Sequence, residues 1–89
     1  MSAETIHKFP LAITDEQVIY APPSARPLSV QFQRGVLCLW MRLDPTEILE
    51  QFTIRIYGTG NPIQSNDHEA FIGTVQDGPM VWHVFWVVR

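Results

Sequence analysis

The sequence predicts a small, mainly β domain: an antiparallel β-sandwich or barrel of about six to seven strands with at most one short helix. Short apolar runs alternate with polar residues at the period of two that is typical of half-buried strands. Seven prolines and five glycines are spread along the chain and separate these runs. The 89 residues leave room for one domain, residues 1–89, and no segment repeats.

The first two predicted strands are short and end at prolines. Residues 6–11 form the first, and Pro10 marks a strand end or an edge position because proline cannot donate to a ladder. Residues 18–20 form the second, which stops at Pro22 and Pro23.

Residues 28–43 form the clearest predicted hairpin, and two registers for it stay open. A two-residue loop of Arg34 and Gly35 would place Phe32 opposite Leu37 and align both apolar faces, but it requires a positive φ at Arg34. A three-residue loop with a left-handed Gly35 suits the turn residues, but it pairs Phe32 with the residue before Leu37.

The segment after this hairpin contains the one helix-start pattern of the chain. Asp44 is the candidate cap, Pro45 takes the first helical position, and Glu47 lies three residues after the cap. A turn or two of helix through Gln51 is predicted on this pattern, and an ordered loop fits it equally well.

The rest of the chain predicts three more strands. Residues 52–57 alternate between apolar and polar, and the polar residues 64–69 are expected to form an exposed loop. Residues 70–75 and 80–88 form the last hairpin. Because the final strand is apolar on both faces, it is predicted either to be central or to have one face covered by a partner.

Charge and hydropathy exclude several classes of partner. Charged residues are 17% of the chain, against roughly 25% in an average soluble domain, and the formal charge is −3. The basic residues form no stripe that would neutralise phosphates, so double-stranded nucleic acid is an unfavourable partner; a short single strand stacked on aromatic rings is harder to exclude. No run of about 18 apolar residues is present, so we expect no membrane span.

Few residues favour catalysis or a metal. Cys38 is the only cysteine and lies between two leucines, which favours core packing over a reactive thiol or a zinc site. His7, His68 and His83 lack ligand spacing, and His83 is expected to be structural. We expect no cofactor and no metal. The first residues show no secretion signal, so a reducing cytoplasm is the expected compartment.

The aromatic residues give the stronger functional signal. Core packing and a protein interface are both open for them, because tryptophan and tyrosine dominate interface hot spots and strand alternation cannot decide between the two roles. The interface candidates are Trp40, Tyr57, Trp82, Phe85 and Trp86.

A glycine-rich segment gives a second candidate site. Gly58, Thr59 and Gly60 resemble the start of a phosphate cradle, although the third glycine, the lysine and the following helix are missing. With Arg55 and Asn61 they form a candidate ligand loop; the competing interpretation is a glycine-bent exit from a strand.

Five short segments, each weak alone, are specific as a set: IHKFPL (6–11), CLW (38–40), IYGTGNPI (56–63), FIGT (71–74) and WHVF (82–85). From Thr5 to Phe85 the chain resembles a family of small tailed-bacteriophage proteins of unknown function. The family usually has tyrosine in place of Phe9 and histidine in place of Asn61. The resemblance implies a phage gene product in the host bacterial cytoplasm, and it supplies no catalytic residues.

The leading hypothesis is a non-enzymatic accessory protein that binds and inhibits a bacterial host protein. The favoured target is a component of a defence system, either CRISPR or a defence based on signalling. The alternatives are a sponge that sequesters a nucleotide immune signal and a small virion or assembly component. An enzyme is the least favoured class. A homodimer through the last strand is also expected, because a two-faced apolar strand at a sheet edge would pair with a copy of itself.

Overall fold

The computed structural model describes residues 3–63 and 65–88, and these residues form seven strands and no helix. The strands are β1 (Thr5–Leu11), β2 (Glu16–Ala21), β3 (Arg26–Gln33), β4 (Val36–Leu43), β5 (Glu50–Gly58), β6 (Glu69–Asp77) and β7 (Met80–Val87). Each apolar run found in the sequence centres on one of them. The predicted mainly β architecture is confirmed.

Two antiparallel sheets pack face to face as a small sandwich. The three-stranded sheet has the order β1-β4-β3, and the four-stranded sheet has the order β2-β5-β7-β6. Each sheet turns every second side chain inward, so the core is a layer of aliphatic residues from both sheets. The largest fully buried side chains are Leu37, Leu39, Met41, Leu43, Ile54 and Val84. Cys38 is also buried, as predicted.

The β3–β4 hairpin adopts the two-residue loop. Phe32 lies opposite Leu37, and both Arg34 (φ 51°) and Gly35 (φ 80°) are left-handed. A left-handed conformation costs a residue such as arginine about 1–2 kcal/mol. Aligning two apolar strand faces on the core offsets that cost, because a one-residue slip would turn a whole face to solvent.

The helix predicted after Asp44 is wrong, and the ordered loop is what forms. The two groups that would close a capping box are engaged elsewhere: the Asp44 N–H donates to Ser24 Oγ (2.9 Å), and the Glu47 carboxylate accepts from the Ser24 N–H (3.0 Å). The Asp44 side chain instead accepts from the Thr46 N–H (3.0 Å) within a tight turn. The loop leaves Ile48 almost fully exposed before β5 begins.

The last strand lies inside the four-stranded sheet. β7 pairs with β5 on one side and β6 on the other, so it is not an edge. One of its faces contributes to the core, and the other lies on the outer face of the sheet. A homodimer remains a prediction, but the expected seam through β7 is incorrect because both sides of β7 are already paired.

The connection from β5 to β6 crosses the sheet instead of turning back. β5 and β6 run in the same direction with β7 between them, so residues 59–68 must travel the length of the sheet. We call this segment the crossover loop; within it the structure describes every residue except Gln64. The loop lies on the outer face of the four-stranded sheet, and it positions the candidate site.

Candidate functional site

The outer face of the four-stranded sheet carries three aromatic rings side by side. Tyr57 on β5 contacts Phe85 on β7 edge to face, with centroids 5.6 Å apart and an interplanar angle of 77°. Phe85 contacts Phe71 on β6 in the same manner, at 5.4 Å and 62°. We call these rings the aromatic row. Its end is open, because Phe71 is 59% exposed.

Arg55 fastens the crossover loop beside the aromatic row. Its guanidinium pairs with Glu16 on β2 (2.9 Å), with Asp67 in the loop (2.6 Å) and with Glu69 at the start of β6 (3.5 Å). It also donates to Ser65 Oγ. Asp67 and then Glu16 raise the pKa of Arg55 further above its usual range. One strand residue thus joins both edges of the sheet to the loop.

The ion pair between Arg55 and Asp67 predicts that the attachment of the crossover loop to the sheet weakens in acid. Hydrogen bonding to Arg55 holds the pKa of Asp67 below its ordinary value of 3.8. The ion pair therefore contributes its full stabilisation of the folded protein at pH values above the ordinary pKa of Asp67. This contribution is lost as the pH falls through the lower pKa that Asp67 has in the folded protein. An NMR titration of the Asp67 carboxyl carbon should show a midpoint below 3.8. In Arg55→Gln the midpoint of Asp67 should rise toward the ordinary value. Equal midpoints in the wild type and in Arg55→Gln would contradict the ion pair.

Tyr57 joins the aromatic row to the same polar network. Its hydroxyl donates to Glu69, whose two carboxylate oxygens lie 2.6 and 2.9 Å away. Burial, followed by the hydrogen bond and the charge of Glu69, raises the pKa of Tyr57 to about 12. The ring is therefore held in one orientation by its hydroxyl as well as by Phe85.

Alkaline titration tests this arrangement. We expect the Tyr57 phenol to ionise near pH 12, against an ordinary value of 10.0, and stability to fall across that interval as the pH rises. Glu69→Gln should move the midpoint down, because it removes the carboxylate that disfavours the phenolate. Absorbance of the phenolate follows the titration, and Tyr57→Phe identifies the signal. An unchanged midpoint in Glu69→Gln would show that Glu69 does not control this group.

His83 is structural on this face. Both of its ring nitrogens lie within hydrogen-bond distance of threonine hydroxyls: Nε2 is 2.7 Å from Oγ1 of Thr59, and Nδ1 is 2.9 Å from Oγ1 of Thr74. The ring therefore bridges the start of the crossover loop to β6, as expected for a satisfied histidine. No cluster of three or more metal-ligating side chains occurs in residues 3–63 and 65–88.

The glycine-rich segment forms a tight turn. The Asn61 N–H donates to the Gly58 carbonyl (3.0 Å), and Gly60 has a φ of 91°. Gly58 is closely packed: a Cβ there would lie 3.0 Å from Asn61 Nδ2 and 3.2 Å from Trp82 Cζ3, so these side chains would have to shift by a few tenths of an ångström. This geometry fits a glycine-bent strand exit, and a ligand role for the segment stays a prediction.

The five interface candidates are divided among three places. Tyr57 and Phe85 lie on the outer face within the aromatic row. Trp82 and Trp86 lie on the inner face of β7, half-buried and packed against the core. Trp40 lies on the outer side of the other sheet, opposite Lys8 and Ser29 in register, and is not part of the row.

Two further residues belong to the site and were not found from the sequence. Phe71 completes the aromatic row, and Glu69 anchors Tyr57. The pairing of Phe71 with Phe85 depends on the β6–β7 register, which shifts at a bulge between Phe71 and Gly73. Alternation alone predicts that Phe71 and Glu69 share a face, but it does not predict which rings they meet. Asp67 is exposed, as expected for the polar loop, whereas Glu69 is partly buried; Gln64 lies outside the described residues.

The described residues contain no helix that is long and apolar enough to cross a membrane. The family model described as Domain of unknown function (DUF7352) matches residues 2–89. Searches of the curated proteins and of the solved structures find no match.

Proposed function

The chain belongs to this family of domains of unknown function, and we propose that it is a phage accessory protein that binds a bacterial host protein in the cytoplasm without catalysing a reaction. The phage context comes from the resemblance of its sequence motifs. A protein of a host defence system is the target class we favour, since small phage accessory proteins often disable such systems.

The open end of the aromatic row carries the proposal. Phe71 exposes 59% of its surface, and Ile63 in the neighbouring crossover loop exposes 58%. Aromatic rings are enriched at the centres of protein interfaces, and rigid ones lose little conformational entropy on binding. The Phe71 ring is held in place by its neighbours. It packs edge to face on Phe85, and Phe85 packs on Tyr57, whose hydroxyl is hydrogen-bonded to Glu69.

The charge around the row indicates the chemistry of the partner. One guanidinium, Arg55, faces the three carboxylates of Glu16, Asp67 and Glu69, which leaves a formal charge of 1 − 3 = −2. Complementary potentials steer association and exclude wrong partners. The surface that fits here has an apolar centre and a basic rim.

Quantitative capture from a bacterial lysate tests the proposal. Phe71→Ser removes the exposed ring, and Ile48→Ser is the matched control because Ile48 is 87% exposed but lies outside the row. We expect one host protein to be retained by the wild type and the control. Phe71→Ser should bind that protein about 10-fold or more weakly when it is purified, as for a hot-spot residue. Identical captured sets for all three proteins would refute the assignment of the row.

A nucleotide sponge is less well supported by the geometry. Arg55 lines an open cleft of about 430 Å³ with Asp15, Glu16 and Asn61. Its guanidinium is already paired with three carboxylates, so a phosphate would have to displace them. Calorimetry against cyclic nucleotides and ADP-ribose derivatives should give no binding heat.

A virion or assembly role predicts that the protein is a component of the phage particle. Mass spectrometry of purified particles would then detect it.

A further inference from the structure

We propose that two copies of the chain associate edge to edge through β2, as an antiparallel strand pair with Ile19 on the twofold axis. This inference is independent of the proposed host target, because β2 forms one edge of the four-stranded sheet and Phe71 lies on β6 at the other edge. Four strands form sheet edges in this fold: β1 and β3 in one sheet, β2 and β6 in the other.

Three of the four edges carry features that block pairing with another strand. β1 contains Lys8 and Pro10. β3 contains Pro27 and a bulge directly after it. β6 is bulged and lies against β3, so closely that a Cβ added at Gly73 would be 2.8 Å from Val30 Cγ2. Lysine, proline, bulges and covering elements are the usual protection of exposed edges.

β2 has none of these features. It contains no proline, lysine or bulge, and its ladder groups pair only with β5 among the described residues. Val18 and Tyr20 point away from the core and are 45% and 58% exposed. An unprotected edge with exposed apolar side chains is a template for strand addition.

The occupant that fits this edge is a second copy. With Ile19 opposite itself, Val18 of each copy lies beside Tyr20 of the other, which forms two β-branched–aromatic cross-strand pairs of a stabilising kind. The only charge on the strand, Glu16, is already bound to Arg55 (2.9 Å) and would face Pro22 of the second copy. No like charges meet, and one sequence supplies both sides of the contact.

Sedimentation velocity over a range of concentrations tests the association. The wild type should reach twice the mass of one chain, and Val18→Lys and Tyr20→Lys should each remain monomeric. Both residues are exposed, so the variants should keep the near-ultraviolet circular dichroism of the fold. Ile48→Lys, at an exposed loop position, is the control and should dimerise normally. A wild type that stays monomeric, or a dimer that survives Val18→Lys and Tyr20→Lys, would overturn the proposal.

Cysteine cross-linking tests the register. Residues that face themselves across an antiparallel pair have Cα atoms about 4.5–5.5 Å apart, within disulfide range. Ile19→Cys should therefore form an interchain disulfide on mild oxidation. Thr53→Cys, on the neighbouring strand β5, should not, and the native Cys38 is buried. Failure of Ile19→Cys to cross-link would exclude a twofold axis at this residue.

Discussion

Replacing Trp86 by alanine should lower the free energy of unfolding by about 3 kcal/mol, the low end of the range for tryptophan truncation in a core because the ring is only half-buried. Trp86 lies on the inner face of β7, and its ring stacks on Phe52 with centroids 5.8 Å apart and an interplanar angle of 30°. Its loss leaves a cavity between two strands of the four-stranded sheet. The ring therefore contributes to folding, and its role as an interface anchor stays a prediction.

Urea denaturation followed by far-ultraviolet circular dichroism measures this effect, because the midpoint and slope of the backbone transition give the free energy of unfolding of each variant. Phe71→Ala is the matched control. It also removes an aromatic ring, but one that is mostly exposed, so its cost should stay within about 1 kcal/mol. If Trp86→Ala were as stable as Phe71→Ala, the inner face of β7 would not be packed as described.

Gly73→Ala should destabilise the fold by about 1–3 kcal/mol through overpacking. A Cβ at this position would lie 2.8 Å from Cγ2 of the buried Val30, where β6 of one sheet approaches β3 of the other. Val30 is enclosed by core neighbours, so it cannot move away freely. The two sheets would have to separate locally.

A double-mutant cycle isolates this contact. Val30→Ala alone should cost about 2 kcal/mol by removing buried methyl groups. Combined with Gly73→Ala, it also removes the clashing atom, so the double variant should be more stable than the sum of the two single costs by about 1 kcal/mol or more. Simple additivity would mean that Gly73 is not constrained by Val30.

The strands themselves were predictable because their signal is local. The alternation in β4 and β5 predicted which residues enter the core, and Leu39 and Ile54 are fully buried accordingly. Two opposing free energies decided the hairpin register. The cost of a left-handed Arg34 is smaller than the free energy gained by burying the apolar faces that this register aligns.

The site was less predictable because its residues meet only through strand order. Arg55 finds partners from β2, from the crossover loop and from β6, which are separated by up to 39 positions from it. Nothing local in the sequence pairs those segments. Alternation groups Tyr57 with Arg55 on one face of its own strand. It does not predict that this face meets Phe85 on β7, or Phe71 on β6, whose register contains a bulge.

The helix failed for a related reason. Asp44 and Glu47 have the spacing of a capping box, but both are bound to Ser24, twenty or more positions earlier. A tertiary contact thus used the groups that a helix start needs. Predicting this would have required knowing that the two loops lie at the same end of the sandwich.

The central position of β7 has a consequence for biosynthesis. β7 is the last of the seven strands to leave the ribosome, yet it lies between β5 and β6, which share no backbone ladder with each other. Until residues 80–87 have emerged, the four-stranded sheet is split, and both neighbouring strands present unpaired edges. Folding of the domain is thus postponed until translation of β7 is complete, and a nascent chain stalled before Met80 should be a substrate for chaperones and proteases.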